Sequence, residues 1–147
     1  MFKHILVPTD GSPLSQRTLN HAVQFARETG ARITFLHAEP STPALQGAAG
    51  ALADPAILQA FHDKVEAAGQ QALKAAAAVA EAAGVPCDTT LVASSHPAEV
   101  IIRTAEQLGC DLIFMASHGR RGMSALLLGS ETNKVLTHSK IPVLVYR

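Results

Sequence analysis

The chain has 147 residues, of which 48% are apolar and 16% are charged, so its length and composition indicate one globular domain spanning residues 1–147. Its 12 basic and 12 acidic side chains cancel, which removes the general electrostatic attraction that draws basic proteins to nucleic acid or to an anionic membrane. No apolar run approaches the roughly 18 residues that span a bilayer and no leader sequence is visible, so we expect a cytoplasmic protein.

The first third of the chain alternates an apolar strand pattern with a helical one. Ile5–Val7 is predicted to be a short strand, and Pro13–Thr29 places apolar side chains on one face of a helix that Ser12 can cap. Ile33–Ala38 is predicted to be the second strand. Glu39–Asp54, rich in Pro, Gly, Ala and Ser, has no periodicity and is expected to be a surface loop within the same domain.

The rest of the chain continues this alternation. In chain order, the predicted elements are a long helix at Pro55–Ala83, a strand at Thr89–Ala93, a helix at Pro97–Leu108, a strand at Leu112–Ala116, a helix at Ser124–His138 and a last strand at Val143–Tyr146. Apolar strands separated by helices favour a parallel sheet that is covered on both faces. Because the crossovers of such sheets are right-handed, the expected fold is an α/β, open, doubly wound sheet of five strands.

Two strand ends are candidates for ligand binding. In doubly wound sheets, ligands lie at the carboxyl ends of the strands, where the winding reverses. The first predicted strand leads into Asp10 and the fourth into Ser117. An Asp-Gly-Ser run before a helix is also an ordinary turn and capping arrangement, so the residues alone leave both interpretations of Asp10 open.

The loop from Ser117 to Ser130 has the composition of a phosphate-binding loop. Its glycines let backbone amides approach an anion closely, and the amides and hydroxyl at a helix start donate to phosphate oxygens. Arg120 and Arg121 supply donors for charge-assisted hydrogen bonds. The spacing matches neither GxxxxGK[ST] nor GxGxxG, so a plain strand–turn–helix connection is an equal alternative on spacing alone.

Three sequence blocks together resemble the universal stress protein family along essentially the full chain. These blocks are ILVPTDGS at Ile5–Ser12, MASHGR at Met115–Arg120, and LGS at Leu128–Ser130 followed by PVLV at Pro142–Val145. The ATP-binding branch of that family carries Gly-x-x-Gly, then nine residues, then Gly-Ser or Gly-Thr. Gly119 and Gly129-Ser130 fit the second glycine and the final pair, and Ala116 stands in place of the first glycine.

The resemblance implies a Rossmann-like sheet, similar to that of the adenine nucleotide alpha hydrolases, with the strand order 3-2-1-4-5. It also implies ATP as the ligand, together with Mg²⁺. Asp10 would bind the ribose or the nucleotide's Mg²⁺, the backbone of Ala38 would meet the adenine edge, and Met115 would pack near the base. The full set of implied nucleotide-binding residues is Pro8, Thr9, Asp10, Ala38, Met115, Ala116, Ser117, His118, Gly119, Arg120, Gly129, Ser130 and Glu131.

Glu131 and the histidines need separate treatment. An acidic side chain at a helix start suits the helix dipole, but it repels a triphosphate, so Glu131 must point away from the phosphates or meet them through Mg²⁺. The seven histidines have no metal-ligand spacing, and we expect no transition-metal site. His118 lies in the candidate loop and is expected to position that loop or to touch phosphate.

The last strand predicts a partner. Pro142–Tyr146 is apolar and is expected at a sheet edge, where unpaired backbone groups favour association with another strand. The resemblance implies a homodimer formed through this strand about a twofold axis. The alternative is an edge that the chain's own loops cover.

Three functions remain open on the sequence. The first is a regulatory module of the stress response that binds ATP without being an enzyme. The second is a slow ATPase on the same site, for which Asp10, His118 and Glu131 are the available groups, although none has a distinctive catalytic arrangement. The third is a dimeric interaction protein that binds no nucleotide, and Ala116 at the first glycine position favours it.

Overall fold

A computed structural model describes residues 1–41, 43, 47, 50, 54–119 and 127–147 of the chain. The described strands are β1 (His4–Pro8), β2 (Arg32–Glu39), β3 (Cys87–Ala93), β4 (Leu112–Ala116) and β5 (Val143–Tyr146). The longer described helices are α1 (Pro13–Thr29), α2 (Pro55–Ala82), α3 (Pro97–Gln107) and α4 (Ser130–His138). The strands form one parallel sheet in the order β3-β2-β1-β4-β5, which confirms the expected fold and strand order.

The two faces of the sheet have separate apolar cores. Inward side chains such as Val7 and Phe35 pack beneath α1 and α2, and neither is more than 1% exposed. Their strand neighbours Leu6 and Leu36 pack on the opposite face, beneath α3 and α4. Successive strand residues point to opposite faces, so the continuously apolar strands of the sequence supply both cores.

The helix boundaries follow local chemistry. The Ser12 side chain accepts a hydrogen bond from the Ser15 amide and caps α1, and Pro13 occupies the first turn. Gly30 ends the same helix with a φ of 69°, a left-handed conformation that suits glycine. These features confirm the predicted limits of α1.

Two predicted boundaries are wrong. The third strand begins at Cys87 rather than Thr89, because Cys87 and Asp88 already pair with β2 through Ile33 and Thr34. Polar residues at a sheet edge hid that extension in the sequence. The last helix begins at Ser130 rather than Ser124, since residues 127–129 are not helical and Gly129 is extended.

The strands end at different heights, and this shapes the carboxyl edge of the sheet. The last paired residues of β1 and β2 are Pro8 and Leu36, yet β2 continues for three more residues to Glu39. Over that stretch β2 still pairs with β3, ending at Glu39 with Ala93. The last three residues of β2, residues 37–39, therefore extend beyond β1 and form a wall above the chain that leaves β1.

None of the helices in the described ranges is long and apolar enough to cross a membrane.

Candidate functional site

The loop after β1, residues 9–12, is held by buried hydrogen bonds. The Thr9 amide donates to the Leu36 carbonyl at 2.8 Å, and the Thr9 hydroxyl lies 2.9 Å from the Ser15 hydroxyl. Asp10 Oδ1 accepts a hydrogen bond of 2.9 Å from the Ser12 amide, as in an Asx turn. The backbone that carries Asp10 is thus fixed from both the sheet and α1.

The loop after β4 holds the start of α4 against the end of the sheet. The Gly129 amide donates to the Ser117 carbonyl at 2.8 Å, and the Thr132 hydroxyl donates to the Ala116 carbonyl at 3.0 Å. The Ser117 amide in turn donates to the Tyr146 carbonyl in β5. These bonds fix the first turn of α4 directly above β4.

The first turn of α4 offers backbone donors. Gly129 is its N-cap residue and makes no side-chain capping bond. The leading amides of an α-helix have no intrahelical acceptor, and the helix dipole places partial positive charge there. The Ser130 side chain is exposed at the same point. This arrangement can accept an oxyanion such as phosphate.

The two loops meet where the sequence places its glycines. A Cβ added to Gly119 would lie only 2.7 Å from Asp10 Oδ2, so the Asp10 carboxylate packs directly against this glycine. A Cβ added to Gly129 would lie 3.1 Å from His118 Cα and 3.3 Å from the Ser117 carbonyl oxygen. Each glycine therefore allows a close approach that a larger residue would disturb. Asp10 and the second loop, distant in sequence, therefore lie together at the carboxyl edge of the sheet, and we refer to the space between the two loops as the crevice.

His37 contributes to this site, although it is not among the site residues predicted from the sequence. Its ring Nδ1 donates to the Thr9 carbonyl at 2.8 Å, and the residue is 8% exposed. Gly69 in α2 makes room for the ring, because a Cβ there would lie 2.7 Å from His37 Cδ2. His37 thus positions the backbone next to Asp10. Its position one residue before Ala38, at the carboxyl end of β2, was the available clue.

Glu131 points toward α3. Its Oε2 accepts a hydrogen bond of 2.9 Å from the Ala98 amide in the first turn of α3, and its Oε1 accepts one of 2.9 Å from Lys134 Nζ. Burial alone would raise the pKa of Glu131, but the bonds from Lys134 and Ala98 outweigh it and lower the pKa. Both oxygens are engaged away from the crevice.

The remaining predicted site residues occupy several positions around the crevice. Pro8 ends β1, Ala38 lies near the end of β2 on the α3 side, and Met115 is buried in the same core. His118 Nδ1 lies 3.1 Å from the Ser117 hydroxyl. Arg120 lies outside the described residues. Within the described ranges, no three His, Cys, Asp or Glu side chains come together as a metal site.

The comparisons with known proteins agree along the whole chain. The sequence pattern of the Universal stress protein family matches residues 1–147. A universal stress protein of Thermus aquaticus is 33% identical over 147 residues, with 100% of both chains covered. Universal stress protein MJ0531 of Methanocaldococcus jannaschii is 31% identical, and the match covers 100% of this chain and 83% of that protein.

Solved structures share the fold. The universal stress protein UspA from Lactobacillus plantarum superimposes with a TM-score of 0.81 at 26% identity, covering 99% of this chain and 98% of that one. A universal stress protein in complex with cAMP superimposes with a TM-score of 0.72 at 24% identity, and the match covers 99% of this chain and 97% of that one. The Archaeoglobus fulgidus protein in complex with dAMP gives 0.71 at 17% identity and covers 100% and 98%. The chain belongs to the universal stress protein family.

Proposed function

We propose that this protein binds ATP, together with Mg²⁺, in the crevice between the Asp10 loop and the start of α4, and acts as a cytoplasmic regulatory module of the stress response. The observation that carries the proposal is the contact between Asp10 and Gly119 beside the uncapped first turn of α4. It brings the Asp10 carboxylate against the residues that follow β4, at the point where the winding of the sheet reverses, and backbone amides at a helix start such as that of α4 can bind phosphate.

The proposed pose follows the order of the strand ends. The phosphates meet the amides of the first turn of α4 and the Ser130 hydroxyl, above β4. The ribose, or the Mg²⁺ held by the phosphates, meets Asp10 above β1. The base then extends toward Ala38 at the end of β2. Solved proteins of this fold in complex with cAMP and dAMP support an adenine nucleotide as the ligand.

The polar side chains at the crevice already interact with other groups of the protein, and this favours nucleotide binding over hydrolysis. A hydrolase needs a group that orients or activates water beside the terminal phosphate. The Glu131 carboxylate is committed to Ala98 and Lys134, and His118 lies against the Ser117 hydroxyl. Asp10 Oδ1 is used in the turn that it forms with Ser12. We therefore infer a binding module rather than an enzyme.

The edge strand β5 supports an assembly of two copies. All four of its residues are partly exposed, and β4 is its one neighbour in the sheet order. A partly apolar parallel edge favours pairing with another strand. We infer a homodimer through residues 142–146, with β5 of each protomer at a twofold axis. Light scattering on the purified protein measures this mass directly.

The test of nucleotide binding compares two aspartates at opposite ends of the sheet. Asp10→Asn keeps an oxygen for the Ser12 amide but removes the charge, so ATP with Mg²⁺ is expected to bind at least about tenfold more weakly by calorimetry. Asp88→Asn is the matched control, because the Asp88 side chain is 72% exposed. This variant is expected to bind ATP as the parent does.

The same samples separate the alternatives. The parent protein, once denatured, is expected to release adenine nucleotide. Absence of any binding at millimolar ATP would contradict the proposal and favour a dimeric interaction protein. Conversion of ATP to ADP at a rate that Asp10→Asn abolishes would favour the slow ATPase instead.

A further inference from the structure

Glu39, the last residue of β2, carries a buried carboxylate oxygen that has no partner among the described residues. The residue is 4% exposed, and its Oε2 makes no hydrogen bond within the described structure. No cationic side chain of the described ranges lies within 4.0 Å of it. One other buried atom in those ranges shares this condition, His62 Nδ1, but acidic side chains of α2 stand 3.9 and 4.0 Å from it.

A carboxylate in this state is costly to the folded protein. Burial removes water from a charged oxygen, and nothing in the described chain replaces that water. Buried polar groups in proteins are nearly always satisfied, so this exception indicates a donor from outside the described residues. The partner must donate, because an ionised carboxylate only accepts hydrogen bonds.

The position of Glu39 indicates which donor it meets. Side chains two residues apart on a strand share a face, so Glu39 stands on the same face as His37, whose ring contacts the Thr9 carbonyl. Glu39 lies about 6–7 Å further along β2 than His37. It therefore forms part of the wall above the loop that carries Asp10.

The spacing of the strands assigns this wall to the base. Neighbouring strands are about 4.8 Å apart, so the end of β2 lies roughly 10 Å across the sheet from the phosphate-binding end of β4. Asp10 follows the end of β1 and lies between the two, where the proposed pose puts the sugar. A nucleotide laid out in this order brings its base, rather than its ribose hydroxyls, to Glu39.

We propose that Glu39 accepts a hydrogen bond from the exocyclic amino group of the bound base and so selects amino-bearing bases over their oxo counterparts. This inference rests on the proposed nucleotide site. Adenine presents a 6-amino donor at its edge, whereas hypoxanthine presents a 6-carbonyl oxygen that a carboxylate repels. Glu39 is thus a specificity-determining residue that acts beside the Ala38 backbone.

The test compares ATP with ITP, which differ at this position while sharing the sugar and phosphates. Calorimetry with Mg²⁺ is expected to show that the parent protein binds ATP at least about tenfold more tightly than ITP, as a charge-assisted hydrogen bond provides. Glu39→Leu is expected to bring the two affinities within about twofold of each other. Glu39→Gln, which keeps the shape and can donate to a carbonyl, is expected to shift the preference toward ITP.

The matched control is Glu106→Leu, because Glu106 is a glutamate exposed on α3. This variant is expected to keep the parent's preference for ATP over ITP. Removal of an unpaired buried charge is also expected to raise the thermal midpoint of Glu39→Leu without ligand, whereas Glu106→Leu leaves it within about a degree. If Glu39→Leu fails to fold, Glu39→Gln carries the selectivity test alone.

Four results would overturn the inference. An ATP-to-ITP ratio that stays unchanged in both Glu39 variants removes its role in base recognition. A change confined to the ratio of ATP to 2′-deoxy-ATP assigns Glu39 to the ribose instead. If the parent protein binds neither ATP nor ITP, the proposed function falls and this inference falls with it, whereas equal binding of both nucleotides contradicts the inference alone.

Discussion

The amino and carboxyl ends of the sheet both carry polar residues but use them differently. At the amino end, a groove of about 350 Å³ is lined by His4, Arg32, Thr34 and their neighbours. Arg32 Nη2 can only donate, so at 3.1 Å it makes His4 Nδ1 an acceptor. His4 Nε2 then carries the proton and donates to the Thr34 hydroxyl at 2.8 Å. Asp111 accepts from the backbone amides of Lys3 and His4.

At the carboxyl end, the polar groups are held in place but left available. The N-cap residue of α4 is a glycine, which has no side chain to cap the first turn, and the Glu39 carboxylate has an oxygen without a partner in the described structure. Gly119 lies against the Asp10 carboxylate and Gly129 against the His118 backbone, and neither glycine has a side chain that would fill the space between the loops. Polar groups that satisfy one another stabilise a fold, whereas groups that are fixed but unsatisfied can bind a ligand. The difference between the two ends thus separates a stabilising region from a candidate binding region.

The largest expected effect comes from filling the carboxyl end. Gly119→Ala places a Cβ 2.7 Å from Asp10 Oδ2 and displaces that carboxylate, so the affinity for ATP is expected to fall about thirtyfold or more, roughly 2 kcal/mol. Calorimetry measures the loss. Because the displaced atom is the end of a flexible side chain, we expect little change in the thermal midpoint.

Gly47→Ala is the control for this change, since a Cβ there meets no atom within 4 Å in the part of the chain that the structure describes. Equal affinities of the two alanine variants for ATP would contradict the proposed contrast between the two ends of the sheet. They would show that a Cβ against the Asp10 carboxylate does not disturb ATP binding.

The next effect tests the amino end through pH. Burial and, after it, the Arg32 guanidinium lower the pKa of His4, while Asp111 and Asp88 act in the opposite direction. The unfolded chain therefore binds a proton more readily, so His4 contributes stability above about pH 6.5 that is lost as the pH falls below it. His4→Phe is expected to lose about 1–2 kcal/mol at pH 7.5 through the broken hydrogen bonds.

Urea unfolding of both proteins between pH 7.5 and 5 checks this expectation. The two stability curves are expected to converge on acidification, and ATP affinity at pH 7.5 is expected to be the same. A loss of ATP affinity in His4→Phe would show that the amino end contributes to binding, and parallel stability curves would contradict the assigned role of His4.

The smallest effect concerns Glu131, which lies beside the crevice yet serves stability. Glu131→Gln keeps an acceptor for the Ala98 amide but loses the bond from Lys134, and its side chain is 36% exposed, so solvent screens the pair. We expect a loss of about 0.5 kcal/mol in the free energy of unfolding at pH 7. Because the pKa of Glu131 is lowered, this contribution is present above about pH 4.5 and disappears as the pH falls.

Calorimetric titration with ATP sharpens the assignment of Glu131. The variant is expected to bind ATP as the parent does, since both carboxylate oxygens face α3 and Lys134. Markedly altered affinity would return Glu131 to the set of nucleotide-binding residues that the family resemblance implied.

The fold was predictable because its determinants are local. The β1 and β4 apolar runs and the Ser12–Pro13 start of α1 each follow from a short stretch of sequence. The errors lie where local preference is weak. Pairing with β2 draws Cys87 and Asp88 into β3 despite the poor strand propensity of Asp88. The extended Gly129, whose amide donates to the Ser117 carbonyl, sets the start of α4 at Ser130.

By itself, the sequence determined the alternation of strands and helices, the family, and the two loops that carry Asp10 and Gly119. Those features depend on residue types and spacings that the chain displays directly. Only the tertiary structure decided that His37 supports the Thr9 backbone and that Glu131 accepts a hydrogen bond from the first turn of α3. It also decided that Oε2 of Glu39 has no hydrogen-bond partner among the described residues. The reason is physical, since whether a polar group is satisfied depends on residues that packing brings near it, and no local pattern specifies which residues those are.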